Sequence, residues 1–201
     1  MPKIILYDVN EAFDLYEGED NHKYLLWLKT CYEHDAVKDV FNDIDRTEKY
    51  KMISRMYRYN SKFHEIVADY FLPIYNDASK GFVPLEGNMD SLKIKSNTNE
   101  NERMIDAVKY KYLNKLIDEC KYYDVKLIFI YSPIWYGYNT EELSTTINIC
   151  NKKNIPFINY ANNPKYVHAN RYFKDGVHLN AYGADEFTLD LIEELKIRGI
   201  R

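Results

Sequence analysis

A carboxylate and an imidazole, Asp175 and His178, stand three residues apart in the string FKDGVHLNAYGADEF at residues 173–187. A neutral imidazole takes a proton from a hydroxyl near neutral pH when its tautomer and orientation are held. A carboxylate bonded to the other ring nitrogen holds both, and it stabilises the imidazolium that forms. The two residues can therefore work as a charge-paired general base if one turn of loop lets both point into one cleft. An isolated Asp-x-x-His on a loop is more often a surface pair or a cap, so the surrounding elements decide its meaning.

Three compact runs of β-branched and aromatic residues predict buried strands: KIILYDV at 3–9, VKLIFIYSP at 125–133 and IPFINYA at 155–161. Continuous apolar runs, rather than alternating ones, point to a parallel sheet covered on both faces. Ahead of the second run, Ile105, Val108, Tyr112, Leu116 and Cys120 recur at helical spacing. Between the second and third runs, residues 139–154 read as a helix capped by Thr140, with Leu143, Ile147 and Cys150 on one face. After the Asp-His loop, Ala184, Phe187, Leu191 and Leu195 form a further stripe, with Asn180 as N-cap and Gly199 as stop. This alternation of helix and strand is that of a doubly wound α/β sheet. In such sheets sites gather beyond the carboxyl ends of the strands, and the Asp-His loop falls on that edge.

Residues 12–79 break the rhythm. They predict a helical insertion, with helices at about 21–41 and 46–72 and an apolar face made by Tyr50, Ile53, Tyr57, Phe63, Ile66, Val67 and Tyr70. Residues 80–101, with two Gly, a Pro and an Asn-rich end, read as a long loop, either a lid or a connector. The whole of 1–201 is expected to form one domain.

A net charge of −4 argues against a nucleic-acid partner, which normally demands a basic face. No apolar run reaches the length of a membrane span. The start, MPKIILYDVN, meets Asp8 too soon to be a secretory leader, so an exported form would carry its exporting segment elsewhere. Cys31, Cys120 and Cys150 are far apart and read as buried thiols. None of the five histidines has metal-ligand spacing, and no glycine-rich phosphate cradle exists, so neither metal nor cofactor is expected. Trp135, Tyr136 and Tyr138 follow the second strand, where they form either a stacking platform for a sugar ring or a hydrophobic rim.

The string DGVHLNAYGADEFT resembles the last block of the SGNH hydrolases, the GDSL-like esterases and acyltransferases, in a branch common among bacterial cell-envelope proteins. That resemblance implies a three-layer flavodoxin-like sheet, with Asp175 and His178 as acid and base of a Ser-His-Asp triad. YDVNEAFD is similar to the family's Gly-x-Asn-Asp block at Asn10 alone, which implies that the Asn10 amide donates to the oxyanion. Taken by itself, Asn10 reads as a turn residue. The resemblance covers the C-terminal three strands of a five-stranded fold, so the sheet is expected to be incomplete. The family's nucleophilic Ser would lie upstream of everything that matches. Ser132, in IYSPIW, also ends a strand, but Pro133 removes the neighbouring N–H, so Ser132 is expected to line a pocket or bond at the strand end.

The activity implied is hydrolysis or O-acyl transfer on an acylated glycan or lipid ester, silent in this chain without the nucleophile segment. The alternative is a non-catalytic remnant serving as a binding or partner module. Either way the strand edge left open must be covered, by the inserted helices or by another chain such as a second copy.

Overall fold

A computed structural model describes residues 2–18, 21–71, 82–89, 104–138 and 143–200. Three strands form one all-parallel open sheet: β1 (Ile4–Asp8), β2 (Lys126–Tyr131) and β3 (Phe157–Asn159), in that spatial order. The register sets Asp8 opposite Ile130 and Tyr131 opposite Asn159, so the carboxyl ends of all three strands meet at one rim.

Nine helices are described. The one-turn α1 (Glu11–Asp14) follows β1, and α2 (His22–Leu28), α3 (Asp35–Ile44), α4 (Glu48–Lys51), α5 (Arg55–Tyr59) and α6 (Phe63–Phe71) make up the insertion. Then α7 (Ala107–Tyr122) leads to β2, α8 (Ser144–Lys153) to β3, and α9 (Ala181–Ile197) closes the chain.

The central strand is buried on both faces, and its alternation sorts two cores. Leu127, Phe129 and Tyr131 face Leu113, Ile117 and Cys120 of α7 and Ile149 and Cys150 of α8. Ile128 and Ile130 face the other way, with Ile158, Phe187 and Leu191. The result is three layers, two helices over one face and α9 over the other, the α/β arrangement that the helix and strand order predicts. β1 departs from the expectation of full burial: its residues are half-buried or exposed, and Leu6 is 42% exposed. Among the described residues no strand pairs with the outer side of β1.

Local chemistry sets the helix ends. Asp106 caps α7 by accepting from the Val108 and Lys109 amides at 2.8 and 3.0 Å. α8 ends on Asn154, whose φ of 55° is the left-handed stop that Asn tolerates. Asn180 caps α9 through the Gly183 amide at 2.8 Å, and Gly199 stops it at φ +68°, both as the sequence predicts. The stripe on α7 is displaced, because Lys109, Leu113, Ile117 and Cys120 are its buried residues and Ile105 lies before the helix, bridged to Tyr16. On α8, Thr146, Ile149 and Cys150 are buried and Ile147 is exposed. Thr140 lies outside the described residues.

The insertion is helical, but in shorter pieces than the periodicity predicts. Its own small core is Leu25, Phe41 and Met52. Of the apolar face read from the sequence, Tyr50, Ile53, Phe63, Ile66, Val67 and Tyr70 are all exposed, and only Tyr57 packs against that core. Residues 72–79, the end of the expected insertion, lie outside the described residues. Polar bonds join insertion to sheet body. Asp43 accepts from Lys111 Nζ at 2.5 Å and Tyr112 Oη at 2.7 Å, and Asn21 donates to Asp106 at 2.9 Å. Of the expected loop at 80–101, residues 82–89 are described. They run without helix or strand, and Met89 is buried in the α9-side core. Among the described residues no helix is long and apolar enough to cross a membrane.

Candidate active site

Residues 173–179 form a tight loop whose geometry is dictated by one carboxylate. Asp175 Oδ1 accepts from the Val177 and His178 amides, both at 2.9 Å. The same carboxylate meets His178 Nδ1 at 2.9 Å from Oδ2 and 3.0 Å from Oδ1. The Lys174 amide donates to the His178 carbonyl at 2.8 Å and closes the loop. Three bonds from one side chain thus fold the turn and aim the ring together. With Nδ1 turned to Asp175, Nε2 is the nitrogen directed away from the carboxylate, the orientation a general base requires.

Burial pushes the Asp175 carboxyl up, but the Val177 amide, the His178 ring and amide, and the imidazole's charge outweigh it and hold the group below its ordinary value. The pair is open to water, with side-chain exposures of 63% for His178 and 51% for Asp175.

The segment after β2 carries this loop. The Trp135 amide donates to the Gly176 carbonyl at 3.1 Å, and the His168 amide donates to the Trp135 carbonyl at 2.7 Å. A Cβ on Gly176 would sit 3.3 Å from the Tyr136 ring, so the dyad turn rests on that aromatic face. His168, held at a left-handed φ of 59°, packs its ring edge-on to Trp135 at 4.6 Å, and Trp135 Nε1 donates to Asn170 at 2.8 Å. Tyr138 turns away and packs on Tyr131 at 5.0 Å. Trp135 and Tyr136 therefore border the dyad and Tyr138 does not.

From the other side, residues 85–88 fasten the start of α9. The Ala181 amide donates to the Leu85 carbonyl at 2.9 Å, and the buried Asn180 amide nitrogen donates to Gly87 O at 3.0 Å and Arg171 O at 2.9 Å. The described part of the expected lid or connector is thus tied to the element that follows the dyad.

Asn10 stands on the same rim, past β1, with β2 between it and β3; two strand spacings make that about 10 Å across. Its side chain accepts from the Phe13 amide at 3.4 Å and caps α1, while its own amide donates to Asp14 at 2.7 Å. Ser132 is engaged at the strand end: its hydroxyl donates to Asp8 Oδ2 at 2.6 Å and its amide to Oδ1 at 3.1 Å. The proton of Ser132 is thus directed to Asp8, not to His178.

The Asp8 carboxyl forms a second acidic centre on the rim. Desolvation at the strand end pushes it up, and the Ser132 hydroxyl and amide pull it back in part. Asp14 is likewise raised, first by burial and also by the neighbouring Asp8, against the Asn10 amide, Tyr7 and Lys109. Sequence spacing carries no trace of this centre, because Asp8 and Ser132 are brought together by strand pairing alone. The cysteines also differ from expectation: Cys120 and Cys150 are buried, whereas Cys31 is exposed, being on a short turn after α2 rather than in a core.

No protein-family model matches this chain, and neither does any curated protein or solved structure.

Proposed function

We propose that this chain carries the acid–base half of an SGNH-type ester hydrolase or O-acyltransferase, with His178 as general base and Asp175 as its orienting carboxylate. The observation that carries the reading is the carboxylate–imidazole pair at 2.9 Å, locked by two further amide bonds, at the carboxyl rim of a parallel sheet. In the reaction, Nε2 of His178 removes the proton of an attacking hydroxyl as its oxygen bonds to the ester carbonyl carbon. The carbonyl π pair moves onto its oxygen, and collapse of that intermediate expels the alcohol, which takes the proton from His178. Water, or a second hydroxyl, then repeats the cycle on the acyl-enzyme. Asn10, on the same rim, is the proposed donor to the oxyanion. Because Ser132 gives its proton to Asp8, the proposal leaves the nucleophilic hydroxyl to the upstream serine block that the resemblance implies, and this chain's own reaction is the direct action of the imidazole on an activated ester. An acylated sugar or lipid is the proposed substrate, its ring or chain lying against Trp135 and Tyr136.

The test is hydrolysis of p-nitrophenyl acetate, which a positioned imidazole attacks or assists directly. The expected result is a rate above buffer that falls about a hundredfold in His178→Ala, the low end for a positioned base. Asp175→Asn lowers the rate too, and Ser132→Ala leaves it unchanged. Equal rates for the chain and its His178→Ala variant would sink the proposal.

A second reading is a non-catalytic binding module on the same rim. The exposure of the dyad favours it, because a carboxylate–imidazole pair in water exerts far less electrostatic influence than one in a dry cleft. It anticipates saturable binding of an acylated sugar that quenches Trp135 and is indifferent to Asp175→Asn.

A further inference from the structure

The Asp175–His178 turn is held from outside by a short relay of contacts. The Trp135 amide donates to the Gly176 carbonyl at 3.1 Å, and the Tyr136 ring lies against Gly176. Trp135 is itself on a loop after β2, half-buried on the α9-side core. Three contacts from residues 168–170 tie it down. The His168 amide donates to the Trp135 carbonyl at 2.7 Å, and Trp135 Nε1 donates to Asn170 Oδ1 at 2.8 Å. The His168 ring stands edge-on to the indole, with centroids 4.6 Å apart and planes at 78°.

His168 is the costly member of this relay. Its φ of 59° lies in the left-handed region, where a side chain is strained and glycine is not. Asp124 and Asn154 share that backbone, but they stand where α7 and α8 stop. His168 follows only a single turn, closed by the Val167 amide on the Asn163 carbonyl at 3.1 Å. Glycine or asparagine would serve such a turn as well. Burial does not account for the histidine either, because His168 is exposed. What histidine adds is its ring, and the ring lies on Trp135. Strained residues gather at functional sites, where the surrounding structure holds them.

We propose that His168 is a positioning residue for the dyad. Its ring braces the indole, the Trp135 peptide fixes Gly176 at the middle of the turn, and the Asp175 carboxylate then holds His178 Nδ1 in one orientation. The inference rests on the reading of His178 as general base and names what keeps that base aimed.

The test is His168→Gly in the full chain, which removes the ring and suits the backbone left behind. Three quantities are followed: the urea midpoint by circular dichroism, the tautomer of His178 from its ring nitrogen NMR shifts, and the His178-dependent rate on p-nitrophenyl acetate. The expected result is a midpoint equal to or above that of the parent, a His178 tautomer moved toward the mixture of free imidazole, and a rate lowered about tenfold. His168→Asn should behave as His168→Gly does. Asn154→Gly, the same backbone change at the end of α8, should alter neither tautomer nor rate. An unchanged tautomer in His168→Gly overturns the proposal, as does an unchanged rate where His178→Ala lowers it. A lowered midpoint overturns it too, since the ring would then serve stability alone. If His178→Ala leaves the rate as it was, the acid–base reading falls, and the tautomer alone decides whether His168 holds the dyad.

Discussion

At the scale of single residues, Asp175 does two jobs with one carboxylate, folding its own turn and aiming the His178 ring. Because its pKa is depressed in the folded chain, its contribution to loop order is complete above the ordinary carboxylate value. That contribution is lost as pH falls through the lowered folded value. Acid titration followed by amide NMR should therefore show the Val177 and His178 signals holding through the ordinary Asp range and shifting only below it. Asp175→Asn should remove that transition. This pair was legible in the sequence because both its members lie on one turn, where spacing alone is nearly geometry. That Ser132 bonds at its strand end was expected, but its partner Asp8 was not legible, since 124 residues separate the two and only the β1–β2 register unites them. The role of Asn10 as a cap on α1 matches the plainer of the two readings its position allowed.

At the scale of elements, the junction between the dyad loop and α9 is the most tightly specified part of the rim. A Cβ on Gly183 would fall 1.9 Å from the Tyr172 carbonyl oxygen, so helix and loop are in backbone contact there. Gly183→Ala should cost about 2 kcal/mol or more in urea denaturation, since neither backbone can give without moving the other. Asn180→Ala removes the cap and strands the Gly87 and Arg171 carbonyls, and should cost roughly 2–4 kcal/mol by the same measurement. The strands and the α9 stripe were readable because buried runs and amphipathic periods are local properties. The stripes of α7 and α8 were misplaced where Ile105 and Ile147 were counted as inward-facing. Periodicity finds a helix, but which flank meets the sheet depends on how the whole element docks, and at α7 the long stem of Lys109 takes a buried position. The insertion's apolar face was legible as a face, but hydrophobic spacing does not say what, if anything, covers it.

At the scale of the whole molecule, sheet body and insertion have separate cores joined by polar bonds at Asp43 and Asn21. Unfolding in urea should accordingly proceed in two steps. Phe41→Ala should destabilise the step reported by Trp27, and Ile128→Ala that reported by Trp135, each by roughly 2–5 kcal/mol and each seen as a lower midpoint. Coincident transitions in both variants would show one cooperative unit. The two lateral margins of the sheet also differ: β1 offers five residues and β3 only three. Were copies to join along these margins, two routes exist: β1 meets the β1 of a second copy antiparallel across a two-fold axis, or β1 meets the β3 of the next in a head-to-tail union that closes only where its rotation completes a ring. The first route covers both β1 margins at once and ends at a pair, whereas an open head-to-tail product keeps one bare margin at each end and grows into a thread.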